Sequence, residues 1–352
     1  MNTVLNLSKS LSLDELTIVP AVMSNISSRS QCNVYDDNNK LPIFVSPMTS
    51  IINKDNFKVF DDAGVYPIYP RGVEGEGGWK AISLRDAIKG INLFKAGDKI
   101  LIDVANGHMS VLFDVVKKIK ENEPGVTIMT GNIANPFTYF ECCKAGVDYV
   151  RVGIGGGSPC TTSVLTGVHY SHAAMLQTIK EIRSSDPMEV YAKYGIKEYN
   201  PFNFRSFKDW VNSNPKYKDT KVIADGGINT IDRAIKCLAL GADYVMIGKL
   251  FAQCVEACGE TKVDIDDCCT YRKYYGMASH QGQLDLNGEI TKAAEGIESW
   301  ILVDTNLKEF LYTFQSALQS AMSYTGCTNL RQFKNRVTVV EQSISEFKSY
   351  YK

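Results

Sequence analysis

The sequence predicts a (β/α)8 TIM barrel, a single domain over residues 1–352 with an insertion at about 184–220 and a mobile active-site flap at about 279–297. Three observations predict it. Short apolar runs ending in Gly, Asp, Ser or Asn recur along the chain, and most precede a segment of helical apolar spacing, which is how strand, helix, strand units read. Several runs lack polar alternation, as in Ile100-Leu101-Ile102 and Val222-Ile223-Ala224, and strands apolar on both faces fit a parallel sheet covered by helices. Ala145-Gly146-Val147-Asp148-Tyr149-Val150 and Leu240-Gly241-Ala242-Asp243-Tyr244-Val245 share one design, with Gly ending a helix just before a strand, the weak repeat that quasi-symmetric units produce.

Eight candidate strands follow in order. The first, 41–46, is apolar up to Ser46-Pro47, and the second, 65–69, stops at Pro70. The third spans 79–84, and the fourth, 99–105, closes on the bend Asn106-Gly107. Strand five, 127–132, ends in Gly131-Asn132, and strand six, 148–154, runs into a glycine-rich loop. Strands seven and eight, 221–225 and 243–247, each end at glycine. The polar, aromatic stretch 184–220 is far longer than a connection needs and reads as a surface insertion. Residues 279–297 are rich in Gly, Gln and Asp, poor in apolar side chains, and read as the irregular flap.

Composition narrows the partners. Lys plus Arg number 38 and Asp plus Glu 39, so the formal net charge is −1 and bulk binding to nucleic acid or an anionic membrane is not expected. No apolar window is long enough to span a bilayer and no leader pattern opens the chain, so a cytoplasmic protein is expected. The ten cysteines form no CxxC pair or zinc spacing, and reduced, mostly buried thiols are the simplest account.

Barrels of this kind work at their strand C-termini. Asp225-Gly226-Gly227 and Gly248-Lys249 stand in the loops after strands seven and eight, where backbone N–H groups commonly meet a phosphate. Gly153-Ile154-Gly155-Gly156-Gly157-Ser158-Pro159-Cys160-Thr161-Thr162 follows strand six, and a cysteine among hydroxyls and backbone donors can be a nucleophile. The residues alone leave Cys160 open to either a structural or a catalytic role. Asp103 to His108 offer donors and acceptors suited to a ribose or carboxamide, or simply a capped turn. The four histidines have no metal spacing and read as structural or solvated.

Taken together these loops resemble the inosine monophosphate dehydrogenase and guanosine monophosphate reductase family. The likeness runs through residues 13–20, Ser46-Pro47-Met48, 103–108, Gly131-Asn132, the Cys160 loop, residues 223–228 (IADGGI) and Tyr275-Gly276-Met277-Ala278-Ser279. It implies a tetrameric barrel in which the loop cysteine attacks C2 of a purine nucleoside monophosphate and a nicotinamide cofactor exchanges hydride there. By the same resemblance Ser46, Met48, Ser158, Asp225, Gly227, Gly248, Tyr274, Gly276, Met277, Ala278 and Gly296 would surround the nucleotide, with Asp225 on the ribose hydroxyls. Asp103, Asn106 and Asn132 would face the cofactor or the reacting centre. The backbone at Gly153, Gly155 and Cys160 would be the seat of any monovalent cation such as potassium.

The dehydrogenase branch carries CBS modules after the second strand and an Arg-Tyr pair in its flap. Residues 69–79 leave no room for such modules, and 279–295 contain neither Arg nor Tyr. The flap ending Lys292-Ala293-Ala294-Glu295-Gly296 is similar to the reductase, which implies that Thr162 and Glu295 work with Cys160. The expected activity is therefore NADPH-dependent reductive deamination of GMP to IMP. An NAD-dependent IMP dehydrogenase lacking CBS modules, or a silent purine-nucleotide-binding barrel, is the alternative. Ser46-Pro47-Met48 and Tyr274 look more like the dehydrogenase, Tyr69-Pro70-Arg71 replaces the reductase's basic pair, and Lys249 has no counterpart in the family pattern.

Overall fold

Eight parallel strands form the sheet: β1 (Ile43–Val45), β2 (Ile68–Tyr69), β3 (Trp79–Ile82), β4 (Lys99–Asp103), β5 (Thr127–Ile133), β6 (Tyr149–Val152), β7 (Lys221–Asp225) and β8 (Tyr244–Ile247). Each lies in one of the eight runs read from the sequence, except that β5 extends one residue past its run, to Ile133. Neighbours in sequence are neighbours in the sheet, and β1 pairs with β8. Between β1 and β2 the ring closes on Tyr66, whose carbonyl accepts from Val45 N and whose N–H donates to Ile43 O, both at 2.9 Å. The computed structural model describes residues 11–157, 160–184, 220–290, 293–294 and 296–350. The insertion read at 184–220 therefore lies almost wholly outside the described residues.

The two-residue period of a strand sorts these side chains into two cores. Phe44, Ile68, Leu101, Met129, Ile223 and Met246 point into the barrel. Their neighbours Ile43, Val45, Ile100, Ile102, Val222 and Ala224 join the larger core between sheet and helices. Inside the barrel, Phe44 stacks on Tyr66 at 4.9 Å and meets Trp79, Tyr149 and Tyr244 edge-on at 5.6, 5.7 and 5.3 Å. Such ring pairs contribute about 0.5–1.5 kcal/mol each beyond their burial. The hydroxyls of Tyr66 and Tyr244 both donate to Asp36 Oδ2, so the rings' polar ends are satisfied.

The internal repeat has a physical basis. In both copies the residue after the glycine reaches back to a helix carbonyl, Val147 N to Cys142 O at 3.0 Å and Ala242 N to Cys237 O at 3.1 Å, closing the helix. Next comes an aspartate that accepts the backbone N–H of the preceding strand: Asp148 from Ile128 at 2.7 Å, Asp243 from Val222 at 2.8 Å. Each aspartate also takes a cation from a covering helix, Lys120 at 2.6 Å and Arg183 at 3.2 Å. The tyrosine that follows enters the barrel core, and Tyr149 and Tyr244 meet at 5.8 Å.

Two small sheets escaped the sequence reading. Leu16–Val19 pairs antiparallel with Thr338–Glu341, and β9 (Thr261–Val263), β10 (Thr270–Tyr275) and β11 (Glu298–Leu302) form a three-stranded antiparallel sheet. Buried Arg272 ties that sheet to the barrel by donating to the carbonyls of Ala252 and Cys254, each at 2.6 Å. The segment expected to be irregular also contains a helix, His280–Asn287, whose first turn is capped by Ser279 Oγ accepting from Gly282 N at 3.0 Å. Asp285 on this helix accepts from Thr49 Oγ1 at 2.9 Å and Tyr275 OH at 2.6 Å, which anchors it beside the loop after β1. All ten cysteines are free thiols and six are buried, and among the described residues no helix is long and apolar enough to cross a membrane.

Asp243 gives a test of this scaffold. Burial alone would raise its pKa, but Arg183 and Lys334 outweigh burial and hold the carboxyl below its ordinary range. Its stabilisation is therefore full at neutral pH, begins to fade below the ordinary carboxylate value of about 3.9, and is lost as pH falls through the folded-state value. Asp243→Asn should lose about 2 kcal/mol at pH 7, less than a fully buried pair because its cations are 24% and 21% exposed. In urea titrations the gap between variant and wild type should shrink below about pH 4. A gap that stays constant with pH would deny Asp243 this role.

Candidate active site

Strand phase sets the floor of the site. Leu101, Tyr149 and Ile223 face the barrel interior, so Asp103, Arg151 and Asp225, two residues later on β4, β6 and β7, face inward one layer higher. There the guanidinium bridges the carboxylates. Arg151 Nη1 donates to Asp103 Oδ1 at 2.7 Å, while Nη2 and Nε donate to Asp225 Oδ2 at 2.7 and 3.0 Å. Burial opposes the charge on Arg151, but the two aspartates outweigh it and hold the guanidinium more firmly charged than usual. Arg71, just after β2, approaches the second oxygen of Asp103 at 3.2 Å. Asn132 at the end of β5 donates to Asp225 Oδ2 at 2.7 Å and to Gly153 O at 2.8 Å. Three of these bonds converge on Oδ2 of Asp225. Oδ1 of Asp225 takes no hydrogen bond from a described residue and stays available to a ligand.

Above this floor lies a cavity of about 210 Å³. Of the residues read as nucleotide or cofactor contacts, it brings together Ser46, Met48, Asp103, Asp225, Gly227, Gly248, Tyr274, Gly276 and Met277. Arg151 and Lys249 line it as well. The glycines there permit close approach. Gly227 has φ +69°, and a Cβ on it would stand 2.8 Å from Gly156 O, so the loops after β6 and β7 can touch only without a side chain. A Cβ on Gly248 would stand 2.7 Å from Tyr274 OH and 3.3 Å from both Met48 Sδ and Ser46 Oγ. Burial, and then the Asp225 charge, push the Tyr274 phenol up, which keeps it a protonated donor at neutral pH.

Cys160 follows on the same glycine loop. Its N–H donates to the carbonyl of Gly157, which lines the cavity, at 2.9 Å. Its half-buried thiol donates to Thr162 Oγ1 at 3.3 Å. The far end of the flap comes back to this cysteine, because Cys160 and Gly296 form an antiparallel bridge. A thiol held against a hydroxyl, on a loop beside a cavity with a carboxylate floor, can serve as a nucleophile towards a bound electrophile.

Other expected residues stand elsewhere. Asn106 is exposed and accepts the N–H of His108 at 3.1 Å, so it caps its own turn and does not line the cavity. Ala278 also falls outside the cavity lining, and Ser158 and Glu295 lie outside the described residues. The carbonyls of Gly153 and Gly155, expected to face a monovalent cation, accept from Asn132 Nδ2 at 2.8 Å and Ser163 Oγ at 3.0 Å. Each has one internal donor, which leaves its second lone pair open to a cation. Three histidines serve structure: His172 donates to Asp225 O at 2.8 Å, His169 to Ile154 O at 2.9 Å, and His108 Nε2 accepts from Ala134 N at 3.1 Å. Burial lowers the pKa of His108 and His172, which favours the neutral rings these contacts use.

The sequence reading missed Arg151. Its signal was present, a lone cation inside Tyr149-Val150-Arg151-Val152 at the inward phase of the strand.

Comparison with known proteins identifies relatives of the chain. Residues 81–201 and 209–349 match the IMP dehydrogenase / GMP reductase domain family. The inosine-5'-monophosphate dehydrogenase of Chlorobaculum parvum is 31% identical over 262 residues, covering 70% of this chain and 46% of that protein. The GMP reductase of Pediococcus pentosaceus is 28% identical over 356 residues, 94% of this chain and 96% of the relative. The GMP reductase of Helicobacter pylori is 29% identical over 342 residues, 91% of this chain and 92% of the relative. The chain thus spans less than half of the dehydrogenase and nearly the whole of either reductase.

Removing the bridging cation should be severe. Arg151→Met leaves Asp103 and Asp225 facing each other across the barrel mouth, and losing one partner of a buried network typically costs about 3–5 kcal/mol. Arg151→Lys should recover part of this, since an ammonium lacks the planar fork that reaches both carboxylates. Chemical denaturation should rank wild type above Lys above Met. Equal stability for all three would show that the bridge carries no weight.

Proposed function

The chain belongs to the IMP dehydrogenase / GMP reductase family, and on that premise we propose that it is a GMP reductase, converting GMP, NADPH and two protons to IMP, NADP⁺ and ammonium. The observation that carries the reading is the pairing of Cys160 Sγ with Thr162 Oγ1 at 3.3 Å, beside the flap end at Gly296 and next to the Asp225 cavity.

The nucleotide would lie with its ribose hydroxyls on Asp225 Oδ1 and its phosphate against the loops of Gly227 and Gly248, where Tyr274 OH and Ser46 Oγ converge. Sγ of Cys160 then adds to C2 of the purine. The 2-amino group leaves as ammonia, with its proton delivered through the Thr162 hydroxyl and the Glu295 carboxyl, and the C2–S thioimidate remains. A reduced nicotinamide, when bound, supplies the hydride that C2 accepts. Re-formation of the C2–N3 double bond expels the thiolate and yields IMP. Covalent attachment splits one difficult substitution into two easier steps, and the proton relay contributes about a hundred- to ten-thousand-fold. Asp103 and Asn132 act by fixing Arg151 and Asp225 more than by direct contact.

The reductase reading over the dehydrogenase is supported by two features. β2 and β3 are separated by a short connection, 70–78, and no Arg or Tyr lies between Ser279 and Glu295 to activate a hydrolytic water. Ser46, Met48 and Tyr274 in the cavity favour the dehydrogenase as a second reading, because they match that branch's pattern.

Two assays separate the readings. With GMP and NADPH, the protein should consume the reduced nicotinamide and release IMP and ammonia over many turnovers. With IMP and NAD⁺ or NADP⁺ it should release at most one equivalent of reduced cofactor and almost no XMP, because a missing general base costs about a hundred- to ten-thousand-fold. Sustained XMP formation at the rate of GMP reduction would establish the dehydrogenase instead. Cys160→Ser should retain GMP binding yet fall below about a hundredth of wild-type turnover. Higher residual activity would exclude covalent catalysis.

A further inference from the structure

We propose that Lys249 is a specificity-determining residue of this nucleotide site, a side-chain cation that makes affinity depend on the charge of the 5′-phosphate. The inference rests on the purine-nucleotide reading above and assigns a role to a residue outside the family pattern.

Lys249 follows Gly248 at the end of β8 and lines the cavity together with Gly226, Gly227, Asn229, Tyr274 and Gly276. The residue is half-buried, and its ammonium forms no ion pair or hydrogen bond with the described residues. The carboxylates in the same cavity do not compensate it. Asp225 gives its charge to Arg151, and Asp103 stands between Arg151 and Arg71. One cation is thus left over at the end of the cavity built from two glycine loops, the end that takes the phosphate in the reading above.

A half-buried cation without a protein partner is a ready site for an anion, which gains a charge-assisted contact on arrival. Lysine suits this use, being a compact point charge on a flexible stem that can follow a phosphate. The base and ribose are held by other groups, so Lys249 should affect every nucleotide sharing the phosphate by the same factor.

Calorimetric titration of the full chain with GMP and with IMP tests this without reference to turnover. Lys249→Gln should weaken both nucleotides about ten- to a hundredfold and by equal factors, and Lys249→Arg should restore most of the affinity. A Gln variant within about threefold of wild type would overturn the proposal. So would an Arg variant as weak as Gln, since charge would then not be what the site uses, or unequal losses for GMP and IMP, since the effect would then lie at the base. Failure of the wild type to bind either nucleotide would overturn the purine-nucleotide reading itself, whereas normal wild-type binding with an indifferent Lys249 overturns this inference alone.

Discussion

One buried guanidinium holds the active face together. Arg151 is 8% exposed and spends its donors on two carboxylates from different strands, so β4, β6 and β7 are clamped at their upper ends by one side chain. Asn132 adds β5 to the same network. A buried ion array of this kind contributes little net stability over apolar packing, but once built each member depends on the rest, because an unpaired buried charge is very costly. Its value lies in position. By taking Oδ2 of Asp225 with three donors, the network presents Oδ1 to the cavity in one orientation, and a pre-fixed acceptor binds a hydroxyl without paying to be ordered.

The rest of the barrel follows from where polarity is permitted. Below the arginine layer the interior is apolar and aromatic, filled by Phe44, Tyr66, Trp79, Tyr149 and Tyr244, with the hydroxyls of Tyr66 and Tyr244 on Asp36. At the strand entrances Asp148 and Asp243 repeat one device, accepting a neighbouring strand's N–H and a helix cation together. A rigid frame of this kind lets the loops above it consist largely of glycine. The contact between Gly156 and Gly227 and the crowding of Tyr274, Met48 and Ser46 about Gly248 need backbones without side chains, and those glycines bring the cysteine loop beside the cavity.

The eight barrel strands were legible because burial on both faces leaves short unbroken apolar runs, and glycine or aspartate marks where each run meets its loop. That nine of the residues named as contacts line one cavity follows from a similar cause, since loops after parallel strands converge on one face. Arg151 was legible only as a lone cation at an inward strand position, because its partners lie 48 and 74 residues away and no local pattern reveals them. The helix His280–Asn287 was hidden by its weak amphipathicity, for it is held by Asp285 reaching Thr49 and Tyr275 and not by an apolar stripe. The pairing of Leu16–Val19 with Thr338–Glu341 joins chain segments more than three hundred residues apart, which no local pattern reveals.

A crystal structure of the protein with GMP is the most direct test of the central claim, that the Arg151 network presets Asp225 for the ribose and so delivers the purine to Cys160. The account predicts a ribose hydroxyl donating to Asp225 Oδ1 at about 2.7–3.0 Å, Arg151 unmoved, and C2 of the purine within about 3.5 Å of Cys160 Sγ. A nucleotide whose ribose does not touch Asp225, or whose purine C2 points away from Cys160, would contradict it.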